Sequence, residues 1–408
     1  MVPIPPLAET SDSPWEIPPW EIPLADRIQM LRTAPIRVLF FSEVYNETSF
    51  RYRVFNICEA INSQNAGISA SWFREADGGK ILELLEECDL LVVHRPMYRD
   101  FYDRLVTKAR LLHIPIVCDT DDLVFDPALA PLVIRTLNQH ATEWQSSEGT
   151  LNDWFGRFAR YRLAAQMTDQ IWTTNEYLAT KAEQSLNKPT AVIPNFLGAD
   201  QLAISDQIAA IRSETTPLPA DFLIGYFSGT PTHQLDFEIA SHAIARIMEQ
   251  YPQVRLRLVG HIGGFDTNLK EFSDRIEVIP FTNYLNLQRL IGEVDLNIAP
   301  LQDTDFANCK SELKYFEAAI VGVPTIASPI FTMEQAIADG QTGMLATNIG
   351  WYQALKAAIE NYPEGLKQMG QKARAQVLAT YTPQIQGPAI CELITALVGN
   401  ESRSARRR

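Results

Sequence analysis

The sequence predicts an α/β protein of two doubly wound domains that face a central cleft. Strand patterns alternate with helical ones along most of the chain, and the alternation runs through twice, with a break near residues 198–216. The length, 408 residues, exceeds what one ordinary core holds. Such alternation builds parallel sheets covered on both faces, and open sheets of this kind bind ligands beyond the carboxyl ends of their strands.

Residues 1–34 stand apart as a Pro-rich segment with PWEIP written twice, carrying Trp15 and Trp20. Proline at this density predicts an extended arm, either solvated or docked through its tryptophans on its own domain or on a partner. The first domain spans 35–200. It opens with the strand IRVLFF, the polar loop SEVYNETSF and the helix RYRVFNICEAINSQ, then continues through strands LLVVH, IPIVCD, QIWTTN and AVIPN. Between them, 126–165 shows no strand signal and carries Trp144, Trp154, Phe155, Phe158 and Tyr161, which reads as a helical insertion near the site. The second domain, 215–380, follows the loop SETTPLPAD. Its strands are FLIGYFSGT, VRLRLVG, RIEVIPF, DLNIAPL and PTIAS, with helices between them. A last helix over 381–400 is expected to cross back over the first domain, ahead of a basic tail at 401–408.

Composition narrows the function. A net charge of −14 argues against general nucleic-acid affinity, so any anionic ligand needs a local cationic cluster. No apolar run approaches the ~20 residues of a membrane span, and the start has neither the basic nor the apolar region of a secretory signal. The five cysteines, Cys58, Cys88, Cys118, Cys309 and Cys391, are scattered and lack metal-ligand spacing. These features predict a cytoplasmic protein with reduced thiols and no structural metal. The basic tail could touch anionic lipid or stay solvated.

GYFSGTPTHQLDF, RLRLVG, DLNIAPL and KSELKYFEAAIVGVPTIAS, in this order, resemble the donor-binding domain of GT-B glycosyltransferases of the family 4, or group 1, type. RYRVFNICEAI, VVHRP, DTDDLVFDP and AVIPNF resemble the acceptor domain of the same group. The resemblance covers nearly everything after Ile36 and implies two Rossmann-like domains and retaining hexosyl transfer from a nucleoside diphosphate sugar to an acceptor hydroxyl. It implies no resident cofactor and no metal.

On that reading a helix starting near Lys310 offers its amide groups and dipole to a diphosphate, with Lys310 adding charge and Ser311 capping or donating. Lys314 joins them, and Glu317, two turns on from Lys310, accepts the ribose hydroxyls, as the resemblance implies. Without the surrounding motifs, the same residues would read as a solvated helix face. The acidic residue the family often carries eight positions before this glutamate is here Cys309. Gly229, Thr230, Thr232 and His233 form a second donor loop, or a capped turn with His233 at the surface. Gly260 lets the next loop approach the nucleotide, with His261 beside it, and PFTNYLNL lines a base pocket.

On the acceptor side, Arg51, Arg53 and Arg95 suit a phosphate or carboxylate, or serve as structural ion pairs; His94 precedes Arg95. Asp119, Asp121 and Asp122 stand at the end of a strand, with Asp121 or Asp122 binding an acceptor hydroxyl or assisting its deprotonation. A capping or ion-pairing role competes with this. Rival functions are a GT-B-like scaffold without turnover, a nucleotide-sugar epimerase, and a phosphatase using Asp119. The implied partners are the nucleotide-sugar donor and a glycan, lipid-linked or other hydroxyl acceptor.

Overall fold

The structure, a computed structural model, describes residues 2–7, 18–46, 48–137, 147–215, 221–229, 234–260 and 267–399. Two six-stranded parallel sheets organise it. The first contains β1 (Ile36–Ser42), β2 (Ile68–Phe73), β3 (Leu90–His94), β4 (Ile116–Asp119), β5 (Gln170–Thr173) and β6 (Thr190–Val192), in the order β2-β1-β3-β4-β5-β6. The second contains β7 (Phe222–Ser228), β8 (Val254–Gly260), β9 (Ile276–Ile279), β10 (Leu296–Ala299), β11 (Thr325–Ala327) and β12 (Met344–Leu345), in the order β12-β11-β10-β7-β8-β9. In both, the order reverses beside the first strand of the domain, which opens a crevice at the carboxyl ends.

Register decides which side chains meet there. Ser42 pairs with His94 and His94 with Asp119, so the ends of β1, β3 and β4 form one row. Ser228 pairs with Gly260 in the facing domain. β2 was not anticipated from sequence. Its ISASWF interleaves serines that here are fully buried; Ser69 donates to the carbonyl of Leu31 at 2.6 Å, so a polar residue sits in a strand covered on both faces.

The extended-arm expectation needs correction for the described part of 1–34. Leu24–Leu31 is a helix, with Pro23 just ahead of it, where its missing N–H costs nothing. Arg27, 2% exposed, pins this helix through Asp77 and the carbonyl of Trp72 at 2.8 and 2.9 Å. Trp20 is 1% exposed, lying against Phe50 and Phe55 of the first domain and over Tyr284 of the second. The arm therefore touches both halves; Trp15 lies outside the described residues.

The aromatic segment forms helices Ala130–Thr136 and Ser147–Gln166. The last helix, Pro383–Gly399, returns to the first domain, where Gly387 comes so close to Gln64 that a Cβ would stand 2.4 Å from its Nε2. Among the described residues no helix is long and apolar enough to cross a membrane.

Candidate active site

Two adjoining chambers lie between the sheets. The smaller, of about 110 Å³, is lined by Arg51, Gly229, Gly260, Phe281, Tyr284, Asn297 and Glu317 among others. The larger, of about 440 Å³, is lined by Arg95, Asp121, Asp122, Trp154, Arg157, Tyr161, Lys310 and Ser311 among others. Thr48, Tyr52, Gly229, Leu313 and Lys314 border both. A separate cavity of about 370 Å³, near Arg212 and Asp295 at the amino ends of β10 and β11, contains none of the predicted site residues.

The stretch after β10 supplies the second domain's charges in spatial order. Glu317 borders the smaller chamber, Lys314 both and Lys310 the larger. The helix expected from Lys310 starts later, at Leu313, and runs only to Ala319. A short turn, Asp305–Asn308, ends before it, and Lys310 and Ser311 occupy the bend between. The two-turn spacing between Lys310 and Glu317 is therefore not a helical one, and the charges are spread along the cleft.

Lys314 donates to the carbonyl of Phe227, and its ammonium stands 5.1 Å from the Tyr226 ring centroid. Burial pushes it down to about 8. Lys310 reaches across the cleft to Asp122 at 3.1 Å, and Ser311 accepts from Asn195 of the first domain at 2.9 Å. Glu317 is likewise engaged from across: the Tyr52 hydroxyl donates to Oε1, and Arg51 Nη2 stands 3.4 Å from the same oxygen.

Gly260 meets its expected close approach. Its φ of +96° suits only glycine here, and a Cβ would lie 2.0 Å from the carbonyl oxygen of Ser228. Thr230, Thr232, His233 and His261 lie outside the described residues. Phe281, Thr282, Tyr284 and Leu287, from PFTNYLNL, wall the smaller chamber.

In the first domain the row at the strand ends becomes a polar chain. His94 Nδ1 lies 2.9 Å from Ser42 Oγ, its Nε2 lies 2.9 Å from Ser49 Oγ, and Ser49 donates to Asp121 at 2.6 Å. Ser49 gives its only proton to Asp121, so Nε2 carries the proton that faces Ser49. Burial pushes His94 down to about 3, and it stays neutral at ordinary pH.

Arg95, whose φ of +45° is unusual for a residue with a side chain, turns its guanidinium onto both Asp121 and Asp122. Burial would push the Asp121 carboxyl up, but the Arg95 guanidinium and the Ser49 hydroxyl outweigh it and hold it well below the usual range. A carboxylate so held is a poor proton acceptor. The base role expected for Asp121 yields to that of a fixed negative charge.

Asp119 and Arg53 do not face the cleft. Both are 0% exposed, joined at 3.0 and 2.7 Å, with Arg53 also donating to the carbonyl of Ile193. Asp119 ends β4 and Arg53 lies on the helical segment Arg51–Phe55, and the two turn inward to each other, so the acceptor-side role expected of both, and a phosphatase nucleophile at Asp119, are corrected to a buried ion pair. Cys309, 1% exposed, packs with Phe306 among first-domain core residues, and so lines neither chamber.

Tyr52, Thr48, Asn195 and Asn297 escaped the sequence reading. Tyr52 sits in an apolar helical pattern where an aromatic reads as core, and only the facing domain shows its hydroxyl to be used.

Residues 222–362 match the family Glycosyl transferases group 1. No curated protein matches the chain. Among solved structures it is similar to HepE from Anabaena, in complex with UDP and glucose, at 14% identity and a TM-score of 0.58, over 88% of this chain and 99% of that one. It is also similar to sucrose-phosphate synthase from Thermosynechococcus elongatus (14%, 0.58, over 89% and 100%) and to WaaG, a glycosyltransferase involved in lipopolysaccharide biosynthesis (12%, 0.57, over 88% and 99%). Fold and family match together define a glycosyltransferase of GT-B architecture. The family match lies wholly within the second domain.

Proposed function

We propose that the protein moves a hexosyl unit from a nucleoside diphosphate sugar to a hydroxyl of a glycan or lipid-linked acceptor, with retention of anomeric configuration and without a metal or resident cofactor. The order of Glu317, Lys314 and Lys310 along the cleft carries this reading: carboxylate for ribose, then two ammonium groups where a diphosphate would follow, then the larger chamber for sugar and acceptor. The UDP and glucose complex of HepE supports the donor class.

On this reading the transition state gathers negative charge on the departing diphosphate. Lys314 and Lys310 stabilise that charge more than they stabilise the intact donor, which lowers the barrier. Arg95 pairs with Asp121 and Asp122 beside the larger chamber, where carboxylate charge favours the cationic character of the reacting sugar and orients acceptor hydroxyls. Lys310 exchanges Asp122 for phosphate as the donor enters. The reaction belongs in the cytoplasm, where nucleotide sugars are at hand, with the protein touching a membrane surface where its acceptor is lipid-linked.

Calorimetric titration of UDP, ADP, GDP and CDP and their sugars into wild type and Glu317→Ala tests the donor site. Selective binding weakened about tenfold or more by the substitution is expected; no binding across the series would sink the reading. Proton NMR of the anomeric centre in the product tests retention, and turnover in excess EDTA tests metal independence.

A further inference from the structure

Glu317 offers the smaller chamber only part of its carboxylate. Tyr52 and Arg51 both meet Oε1, while Oε2 accepts nothing among the described residues. The arrangement is tightly built: Arg51, Tyr52 and Glu317 are 3%, 2% and 7% exposed. The Arg51 guanidinium lies 4.0 Å from the Tyr52 ring centroid and 4.3 Å from that of Tyr284, and its Nη1 donates to Gln201 at 2.8 Å. Burial pushes the Tyr52 hydroxyl upward, so it remains a donor.

A ribose presents two adjacent hydroxyls, and a free carboxylate could take both. Here the second would have to displace Tyr52, leaving a buried hydroxyl and a buried cation poorly paired, or crowd onto Oε2 beside the first at a narrow angle, and neither brings a gain. We propose that Tyr52 and Arg51 are positioning residues that hold Oε1 and orient Oε2, so that the protein reads one ribose hydroxyl of its donor instead of two. This rests on the assignment of Glu317 to the ribose.

The test is calorimetry with the diphosphate of the preferred base and its 2′-deoxy and 3′-deoxy forms. In wild type, one deoxy form should bind about tenfold or more weakly and the other within about twofold of the parent. In Tyr52→Phe, which leaves Oε1 only the long Arg51 contact and so open to a second hydroxyl, both deoxy forms should bind weakly relative to the parent. Equal losses with both forms in wild type would show that Tyr52 is displaced, and no loss with either would show that Glu317 does not read the ribose; each overturns the proposal. The wild-type comparison decides even if the variant does not fold. Absence of binding by any nucleoside diphosphate would instead overturn the donor-site reading, and the proposal with it.

Discussion

At the scale of single residues, the proposed donor site turns on Lys314. Its proton is lost near pH 8 in the folded protein but only near 10.5 in an unfolded chain, because burial disfavours the charge. The unfolded state thus binds more protons between these values, so the ligand-free protein gains stability as pH rises from about 8 to about 10.5. Diphosphate binding needs the proton and should weaken through the same window. Titrations from about pH 6 to 10 should show this loss, and Lys314→Met should bind weakly with a flattened profile. Asp119→Asn should cost about 3–5 kcal/mol in urea unfolding, because it leaves the Arg53 guanidinium buried without a counter-charge. Lys310, Lys314 and Glu317 were legible because charge next to a buried helix and strand is conspicuous in sequence. Tyr52 and the burial of Asp119 were not, since each depends on what the other domain or the layer beneath places against it.

At the scale of elements, the site depends on where parallel strands end. Gly260 closes β8 against Ser228, and Gly260→Ala forces a Cβ into a backbone carbonyl at a positive φ. Strain of about 1–3 kcal/mol is expected, with donor binding falling more than stability alone explains; calorimetry beside a thermal melt separates the two. The last helix packs against the first domain, and its Ile394 is 0% exposed in a core cluster that reaches both sheets. Ile394→Ala should cost about 2–5 kcal/mol, read from the urea midpoint. Most strands were legible as β-branched and aromatic runs. β2 was not, because its serines break the apolar run, and β12 was not, because two residues make no pattern.

At the scale of the whole molecule, cross-cleft contacts hold the two domains together. Lys310 meets Asp122, Glu317 meets Arg51 and Tyr52, and Asp305 takes Lys181 at 3.0 Å together with Tyr177. In this state the charges proposed to bind the donor are paired within the protein. Breaking two of the contacts, in Asp122→Ala combined with Tyr52→Phe, should raise the radius of gyration measured by small-angle X-ray scattering, and saturating donor should lower it again. An unchanged radius would mean that the packing of the arm and last helix sets the closure by itself. Trp20→Ala tests that packing: a loss of about 3–5 kcal/mol is expected, with both domains less protected in hydrogen exchange.

The sequence by itself determined the α/β class, the two-domain plan, most of the strands and the cluster at Lys310 to Glu317. Each of these follows from periodicity and residue type within a few positions along the chain. Only the tertiary structure decided which charges face the cleft and which are spent inside. Arg51 and Arg53 are two residues apart on one helical turn, yet Arg51 reaches a glutamate in the other domain while Arg53 is sealed against Asp119. That outcome depends on strand register and on how the domains meet, which bring together residues such as Arg51 and Glu317, 266 positions apart. No local pattern encodes such contacts, because their energy comes from burial and pairing that exist only once the sheets are assembled.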